Sequence, residues 1–228
     1  MEQHCFDAVP KERLETVNEG FRNATDEIKQ ITERFSSNLN VGKCRKKLNY
    51  NGQFVSEISH YSEIDNIIRM DETKDNEEYA ITFRHEYGHF ADAQLGRPSM
   101  TENFNYALGA DYEWYNPSNE EGSQNLNNLL EELENSSAFD SRYLSDILSG
   151  VFHNNTMIMD RYYQNGAAYY HHSNSYWDGL NGPEKAVERE VFANLFGIYA
   201  ENDADVVGFV EKYFPNTTTR FKTIIGGC

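Results

Sequence analysis

The residues best suited to chemistry form the run His85-Glu86-Tyr87-Gly88-His89. On a helix, the two histidines stand one turn apart on the same face, so both imidazoles can reach one metal ion. Glu86 then projects beside them, where it can take a proton from water on the metal. The spacing predicts that His85 and His89 bind zinc and that Glu86 is a general base. The alternative is a helix with two surface histidines in ion pairs.

The third metal ligand has to come from another part of the chain. Tetrahedral zinc in a hydrolase needs three protein ligands and one open position. In one subclass, a glycine and a local third ligand follow the second histidine at fixed positions, but here those positions hold Asp92 and Leu95. That subclass is excluded, and the remaining option is a glutamate on a second helix.

A helix that follows Pro183 and runs to about Glu201 offers several glutamates: Glu184, Glu188, Glu190 and Glu201. The face of Glu190 carries small residues that would let this helix approach the metal helix closely: Ala186, Ala193, Asn194 and Gly197. The face of Glu188 carries larger ones that would hold the helices apart: Val191, Phe192 and Leu195. We therefore predict Glu190 as the third ligand, with one Zn²⁺ per chain.

A peptide hydrolase also needs a hydrogen-bond donor aimed at the oxyanion that forms during the reaction. The stretch 169–177 places several tyrosine and histidine side chains shortly before the last long helix. A tyrosine hydroxyl or a histidine ring can serve as the donor. We expect Tyr176, and after it His172, to be the candidates.

These side chains must be positioned by a small number of elements. The sequence predicts a helix over 76–94 that contains the motif, because no helix-ending residue occurs before Gly96 and Pro98. A small sheet precedes it, with a hairpin at Asn51-Gly52 and a strand at 66–70. Between 97 and 182 the sequence predicts an insertion with two short helices, at 125–133 and 141–148. A shorter helix is predicted at 206–213, after the long helix that follows Pro183.

The N-terminal part of the chain has a helical apolar pattern of its own. Apolar residues recur at alternating steps of three and four: Leu14, Val17, Phe21, Ala24, Ile28, Ile31 and Phe35. The pattern predicts one amphipathic helix within 1–40, lying on the domain surface, joining it to an upstream domain, or forming a short coiled coil. Residues 41–228, with the insertion 97–182, are expected to form a single domain.

Charge and composition exclude some partners. The net charge of −17 and a pI near 4.7 disfavour binding to nucleic acid or to a membrane surface. The apolar runs are too short for a transmembrane helix, and the polar start of the chain predicts no signal peptide. The three cysteines (Cys5, Cys44 and Cys228) are widely spaced, which favours a reducing compartment or indifference to redox.

Two blocks of the chain resemble a known family. The run HEYGHFADAQLG from His85 and the run EVFANLF from Glu190 are similar to the catalytic core of the anthrax lethal factor family. In that family an Asp follows the HExxH motif by three residues, as Asp92 does here, and the third ligand opens a comparable helix. The resemblance implies a gluzincin-type zinc metallopeptidase with a zincin-like fold, and it independently favours Glu190.

The run HSNSYW from His172 to Trp177, with EVFANLF, also looks like the zincin-type domains of phage minor head proteins of the Mu-type head morphogenesis group and of related bacterial toxins. This likeness implies an upstream domain or a phage head component as a partner. It also implies a place in the cytoplasm of the producer or in a virion, with delivery to a target cell as a further option.

Two positions depart from the lethal factor pattern. Pro183 stands where that family has a catalytic tyrosine, seven residues before the glutamate ligand, and Asn194 stands where it usually has an acid. These departures favour the alternative of a phage head structural or interaction protein with a degenerate zincin fold.

The sequence thus predicts an α+β, zincin-like fold: a small twisted sheet, the motif helix, a helical insertion and a second helix that carries Glu190. A strand near 66–71 is expected at the sheet edge that lines the cleft. The expected reaction is hydrolysis of a protein or peptide substrate, with a zinc-activated water and Glu86 as the base. A zinc amidase acting on a non-peptide substrate would share the same ligands.

Overall fold

A computed structural model describes residues 6, 8–48, 51, 54–116, 118–153, 172, 174–178 and 184–227, which fold into helices, a three-stranded sheet and a two-stranded sheet. The helices are α1 (Lys11–Arg22), α2 (Asp26–Phe35), α3 (Asn76–Gln94), α4 (Glu102–Trp114), α5 (Glu120–Glu134), α6 (Arg142–Val151), α7 (Asn174–Trp177), α8 (Ala186–Glu201), α9 (Ala204–Tyr213) and α10 (Pro215–Gly226). The strands are β1 (Asn40–Lys43), β2 (Lys46–Leu48), β3 (Phe54–Ser56), β4 (His60–Ser62) and β5 (Ile67–Met70). This mostly helical arrangement with a small mixed sheet is an α+β fold.

The main sheet has three strands in the order β1-β5-β4. β5 pairs in parallel with β1 and antiparallel with β4, so that Ile67 faces Asn40 on one side and Ser62 on the other. The strand predicted at 66–70 is therefore confirmed, but its predicted place at the sheet edge is wrong. Both sides of β5 are occupied, and β4 is the edge strand on the side of the candidate site.

A second pairing joins β2 to β3 in antiparallel register, with Lys46 opposite Ser56. This agrees with the hairpin predicted around Asn51-Gly52, although Gly52 itself lies outside the described residues. Pro183, which the sequence placed before the last long helix, also lies outside them.

The motif helix α3 has the bounds that the sequence predicted. Its N-terminus is capped by Asp75, whose side chain accepts a hydrogen bond from the backbone N–H of Glu78 at 2.9 Å. After its last turn, Gly96 takes a φ of 81°, a conformation that glycine adopts without a steric penalty, and the chain turns away before Pro98. Its apolar side is aromatic and buried: Tyr79, Phe83, Tyr87 and Phe90.

α3 and α8 pack closely because both carry small residues at their contact. A Cβ placed on Gly88 would stand 2.7 Å from the Cα of Ala193, so the two backbones nearly touch there. The predicted small face of α8 is therefore confirmed at Ala193. Gly197, on the same face, instead lies against the ring of Tyr143 on α6, which occupies the space that a Cβ would need.

The predicted N-terminal helix is two helices, because the chain leaves the helical path at Asn23–Thr25. The backbone N–H of Thr25 donates to Tyr199 O at 3.1 Å, and Asn202 Nδ2 donates to Asn23 O at 2.9 Å. Contacts with the end of α8 thus hold the break. The apolar stripe is buried in the common core, for example Phe21 and Ile28.

The segment 97–182 holds more helix than the sequence predicted. α5 and α6 are longer than the two predicted helices, and α4 was not predicted. Their apolar residues belong to the same core cluster as α3 and α8. No helix within the described ranges is both long and apolar enough to cross a membrane.

Candidate metal centre

The structure brings the three predicted ligands together where α3 crosses α8. Glu190 Oε2 lies 3.1 Å from His85 Nε2 and 3.2 Å from His89 Nε2. One ligand atom from each residue lies within 4.8 Å of the other two, close enough to hold one metal ion. His85 and Glu190 are buried, and the side chain of His89 is 13% exposed.

The other glutamates of this region lie elsewhere. Glu201 forms an ion pair with Arg84 at 3.2 Å, Glu188 lines a separate cavity beside Phe152, and Glu184 is exposed. The choice of Glu190 follows from the helical face that packs on α3.

Charge attraction holds the three candidate ligands together. Burial alone would raise the pKa of Glu190, but the two imidazoles hold this pKa well below its usual range. Burial alone would lower the pKa of His85, but its hydrogen bond with Glu190 raises it to about 10. The carboxylate therefore stays ionised beside the two rings, which is the state in which it binds a cation.

Glu86 lines the same cleft as the ligands, and one of its carboxylate oxygens is bonded to the sheet. It is buried, and its Oε2 accepts a hydrogen bond from the backbone N–H of Tyr61 on β4 at 2.8 Å. Burial raises the pKa of Glu86. A raised pKa suits a carboxylate that has to take up a proton near neutral pH and release it again.

Tyr176 and His172 stand on the other side of Glu190. The hydroxyl of Tyr176 donates a hydrogen bond to Glu190 Oε1, and its ring stacks on His172 with centroids 4.0 Å apart. Burial, followed by the charge of Glu190, raises the pKa of Tyr176, so its hydroxyl keeps the proton that a donor needs. The structure places both residues in the site, and their role as oxyanion donors stays a prediction.

A series of side-chain hydrogen bonds lies behind the ligands, and the sequence did not predict it. His85 Nδ1 donates to Asn194 Oδ1 at 2.9 Å, and Asn194 Nδ2 donates to Asp146 Oδ2 at 2.8 Å. His172 Nδ1 donates to the other oxygen of Asp146 at 3.1 Å. Asn194, which the sequence analysis named as a small residue on the Glu190 face and as a missing acid, is thus the direct partner of a candidate ligand. Nothing in the local sequence connects Asp146 with the motif.

Asp92, which follows the motif on α3, is buried. Its carboxylate accepts hydrogen bonds from the backbone N–H of Ser99 at 3.0 Å and from the Ser99 hydroxyl at 2.6 Å. These bonds fasten the chain that leaves α3 back onto the helix.

The ligands open onto a cleft of about 500 Å³. One wall is the chain from Glu57 to Tyr61, which leads into and forms β4, and the other comes from α7 and α8. Arg189 also lines the cleft and pairs with Glu63 at 2.5 Å. The cleft is therefore a groove beside a sheet edge.

The donor set fits zinc. Two imidazole nitrogens and one carboxylate oxygen are a common ligand set of catalytic zinc, which keeps its fourth position open. Tetrahedral zinc with bonds of about 2.0–2.2 Å separates its ligand atoms by roughly 3.3–3.6 Å, close to the 3.1 and 3.2 Å found here. A second close group, Asp146, His172 and Glu190, shares Glu190, but there Asp146 already accepts hydrogen bonds from Asn194 and His172.

No protein-family model, curated protein or solved structure matches this chain.

Proposed function

We propose that the protein is a zinc-dependent endopeptidase with a zincin-like site. The observation that carries this proposal is the contact of one Glu190 oxygen with both imidazoles of the motif helix, with Glu86 buried beside them. The resemblance of the two ligand-bearing runs to the lethal factor family supports the same assignment. His85, His89 and Glu190 would hold the zinc.

When bound, zinc lowers the pKa of a water molecule and polarises the carbonyl of the substrate. Glu86 accepts the proton of the attacking water, and its raised pKa allows it to pass this proton to the leaving amine. The hydrogen bond from Tyr61 N–H holds the carboxylate at the sheet side of the cleft during both transfers. Glu86 is therefore a base and not a ligand.

Tyr176 is our first candidate for the oxyanion donor. Its hydroxyl lies at the cleft and keeps its proton, so it can stabilise negative charge that develops on the substrate oxygen. His172, stacked on the Tyr176 ring and lining the same cleft, is the second candidate. The hydroxyl is supplied from α7, which compensates for the absence of a tyrosine at position 183.

The substrate that this cleft suits is an extended segment of polypeptide. β4 is the terminal strand of the three-stranded sheet and its neighbourhood lines the cleft, so a substrate can bind along it as an added strand. Ile58, with 78% of its surface exposed, offers an apolar contact at the same wall. An unstructured protein or peptide can pair with the edge of β4 and place an apolar side chain against Ile58.

The rival function is a phage head structural or interaction protein that keeps the fold and the metal but not the activity. Its evidence is the pair of departures at Pro183 and Asn194. Asn194 bonded to His85, and a Tyr176 hydroxyl beside Glu190, weaken that evidence. A zinc amidase for non-peptide substrates differs from our proposal only in its substrate.

The test is proteolysis of a library of unstructured peptides by the zinc-loaded wild-type protein. We expect cleavage that stops when a chelator removes the metal and returns on zinc addition. Glu86→Gln keeps the shape of the side chain but cannot accept a proton, so it should retain zinc and lose a factor of about 10²–10⁴ in rate.

Zinc binding without cleavage anywhere in the library would favour the structural protein. Cleavage that Glu86→Gln leaves unchanged would contradict the assigned base. Hydrolysis of non-peptide amides alone would point to the amidase.

A further inference from the structure

Asp146 is a carboxylate with none of its side chain exposed. Burying a charge costs free energy unless donors surround it. Three side chains donate to Asp146: Asn194 to Oδ2 at 2.8 Å, and His172 and Ser149 to Oδ1 at 3.1 and 3.4 Å. Two of these donors lie at the candidate metal centre: Asn194 is bonded to His85, and His172 lines the cleft.

Helix packing places this carboxylate. On α6, Tyr143 and Asp146 are three residues apart and share one face; on α8, Asn194 and Gly197 do the same. Because Gly197 has no side chain, the Tyr143 ring lies directly on α8. The next contact along the two helices is then Asp146 against Asn194.

The chemistry of Asp146, Asn194 and His85 fixes which group donates in each of the two hydrogen bonds between them. A carboxylate only accepts hydrogen bonds, so the amide nitrogen of Asn194 must face Asp146. The amide oxygen of Asn194 must then face His85, and an amide oxygen also only accepts. His85 Nδ1 therefore carries a proton, so the proton that the ring gives up when it binds a metal comes from Nε2, the atom that lies 3.1 Å from Glu190.

We propose that Asp146 is a positioning residue that fixes the orientation of the Asn194 amide and, through it, the tautomer in which His85 binds metal. Partners behind the ligands commonly set ring orientation and tautomer in metal sites. The distinctive feature here is that the charge comes from α6, inside the segment 97–182, and acts through a neutral amide. This inference rests on the zinc site of the proposed function.

The first test is a double-mutant cycle on zinc affinity, measured by competition with a chelator. Asp146→Leu frees the amide to turn, and Asn194→Leu removes the acceptor for His85 Nδ1; each should weaken zinc binding about 10- to 100-fold. Since Asp146 acts through Asn194, the double variant should bind zinc no more weakly than Asn194→Leu alone. Additive losses, or no loss in Asp146→Leu, would overturn the proposal.

The second test exchanges the two functional groups. Asn194→Asp alone sets two buried carboxylates against each other and should lower the free energy of unfolding. With Asp146→Asn added, the new amide can donate to the carboxylate introduced at position 194 and accept from His172, so the double exchange should restore both stability and zinc affinity. Relief of the repulsion alone restores stability, so the recovery of zinc affinity is the result that a purely structural role for Asp146 does not predict. The ¹⁵N shifts of the His85 ring should show a proton on Nδ1 in the wild type and in the double exchange.

The matched control is Ser149→Ala, which removes another donor to Asp146 on α6 without touching the path to His85. Zinc affinity in this variant should stay within about threefold of wild type. If the wild-type protein binds no zinc, the proposed function fails together with this inference. If it binds zinc and Asp146→Leu binds it equally well, only the inference fails.

Discussion

Two aspartates of the segment between α3 and α8 are buried, yet they hold different partners. Asp111, on α4, accepts hydrogen bonds from the backbone N–H groups of Asn216 and Thr217 at 3.1 and 2.8 Å and from both of their side chains. These residues form the first turn of α10. Asp111 therefore neutralises the unpaired donors and the partial positive charge of a helix N-terminus.

Asp146, on α6, is buried to the same degree but is surrounded by side chains that lead to the candidate metal centre. Burial and several hydrogen bonds are thus common to a structural carboxylate and to one that we connect with function. The difference lies at the far end of each network, which is a helix backbone in one case and an imidazole facing Glu190 in the other. Each prediction below acts on one of these networks and should leave the other intact.

The largest effect is expected at the metal end. Glu190→Gln replaces a carboxylate that contacts both imidazoles with a neutral amide, a poorer ligand for a dication. We expect zinc affinity to fall more than about a hundredfold, beyond the range seen for partners behind the ligands. Glu188→Gln, on the same helix but outside the site, is the matched control and should bind zinc normally. Equal affinity in the two variants would contradict the ligand assignment.

Tyr176→Phe sharpens the comparison inside the site, because it removes one hydroxyl and keeps the ring that stacks on His172. Loss of an oxyanion donor should lower the hydrolysis rate by about 10²–10³. Zinc affinity should change by less than about tenfold, because the ligand atoms remain. An unchanged rate, measured on a cleaved peptide, would shift the role to His172.

Asp111→Asn tests the structural network. It weakens charge-assisted hydrogen bonds at the start of α10 and should lower the free energy of unfolding by about 1–3 kcal/mol, measured with denaturant. Zinc affinity should stay at the wild-type value, in contrast to Asp146→Leu. Loss of zinc binding in parallel with stability would show that the two networks are not separate.

The smallest effect concerns pH in the metal-free protein. Burial alone would lower the pKa of His85, but Glu190 raises it from 6.5 to about 10. Because the folded value lies above the unfolded one, this pair stabilises the fold fully below about pH 6.5 and loses that effect as the pH rises toward 10. Zinc must displace the same proton, so zinc affinity should increase with pH over this window.

Calorimetric titrations in buffers of different ionisation enthalpy count the protons that zinc releases. We expect about one proton from His85 at pH 8, and fewer in Glu190→Gln. An affinity that does not change between pH 6.5 and 9 would contradict the linkage between His85 and Glu190.

The parts of the site that follow a helical period could be predicted from the sequence. The end of α3 follows from Gly96 and Pro98, and the meeting of Glu190 with the histidines follows from the small residue Ala193 on the same face. These inferences need only the geometry of one helix and of its neighbour.

The missed features depend on contacts between distant parts of the chain. The place of β5 in the middle of its sheet is set by β1, far earlier in the sequence, and the break at Asn23–Thr25 is held by the end of α8. In the sequence Pro215 indicates only the end of α9, although it also opens α10, whose cap comes from Asp111. No local sequence signal marks Asp146, because its contact with Asn194 depends on the packing of α6 on α8.

The central claim is that His85, His89 and Glu190 form one zinc site. The most direct measurement is a titration of the metal-free wild-type protein with zinc against a chromophoric chelator, beside a His85→Ala/His89→Ala variant. We expect one tightly bound zinc per wild-type chain and none in the variant, with both proteins folded by circular dichroism. Zinc bound equally by both proteins, or by neither in the presence of the chelator, would contradict it.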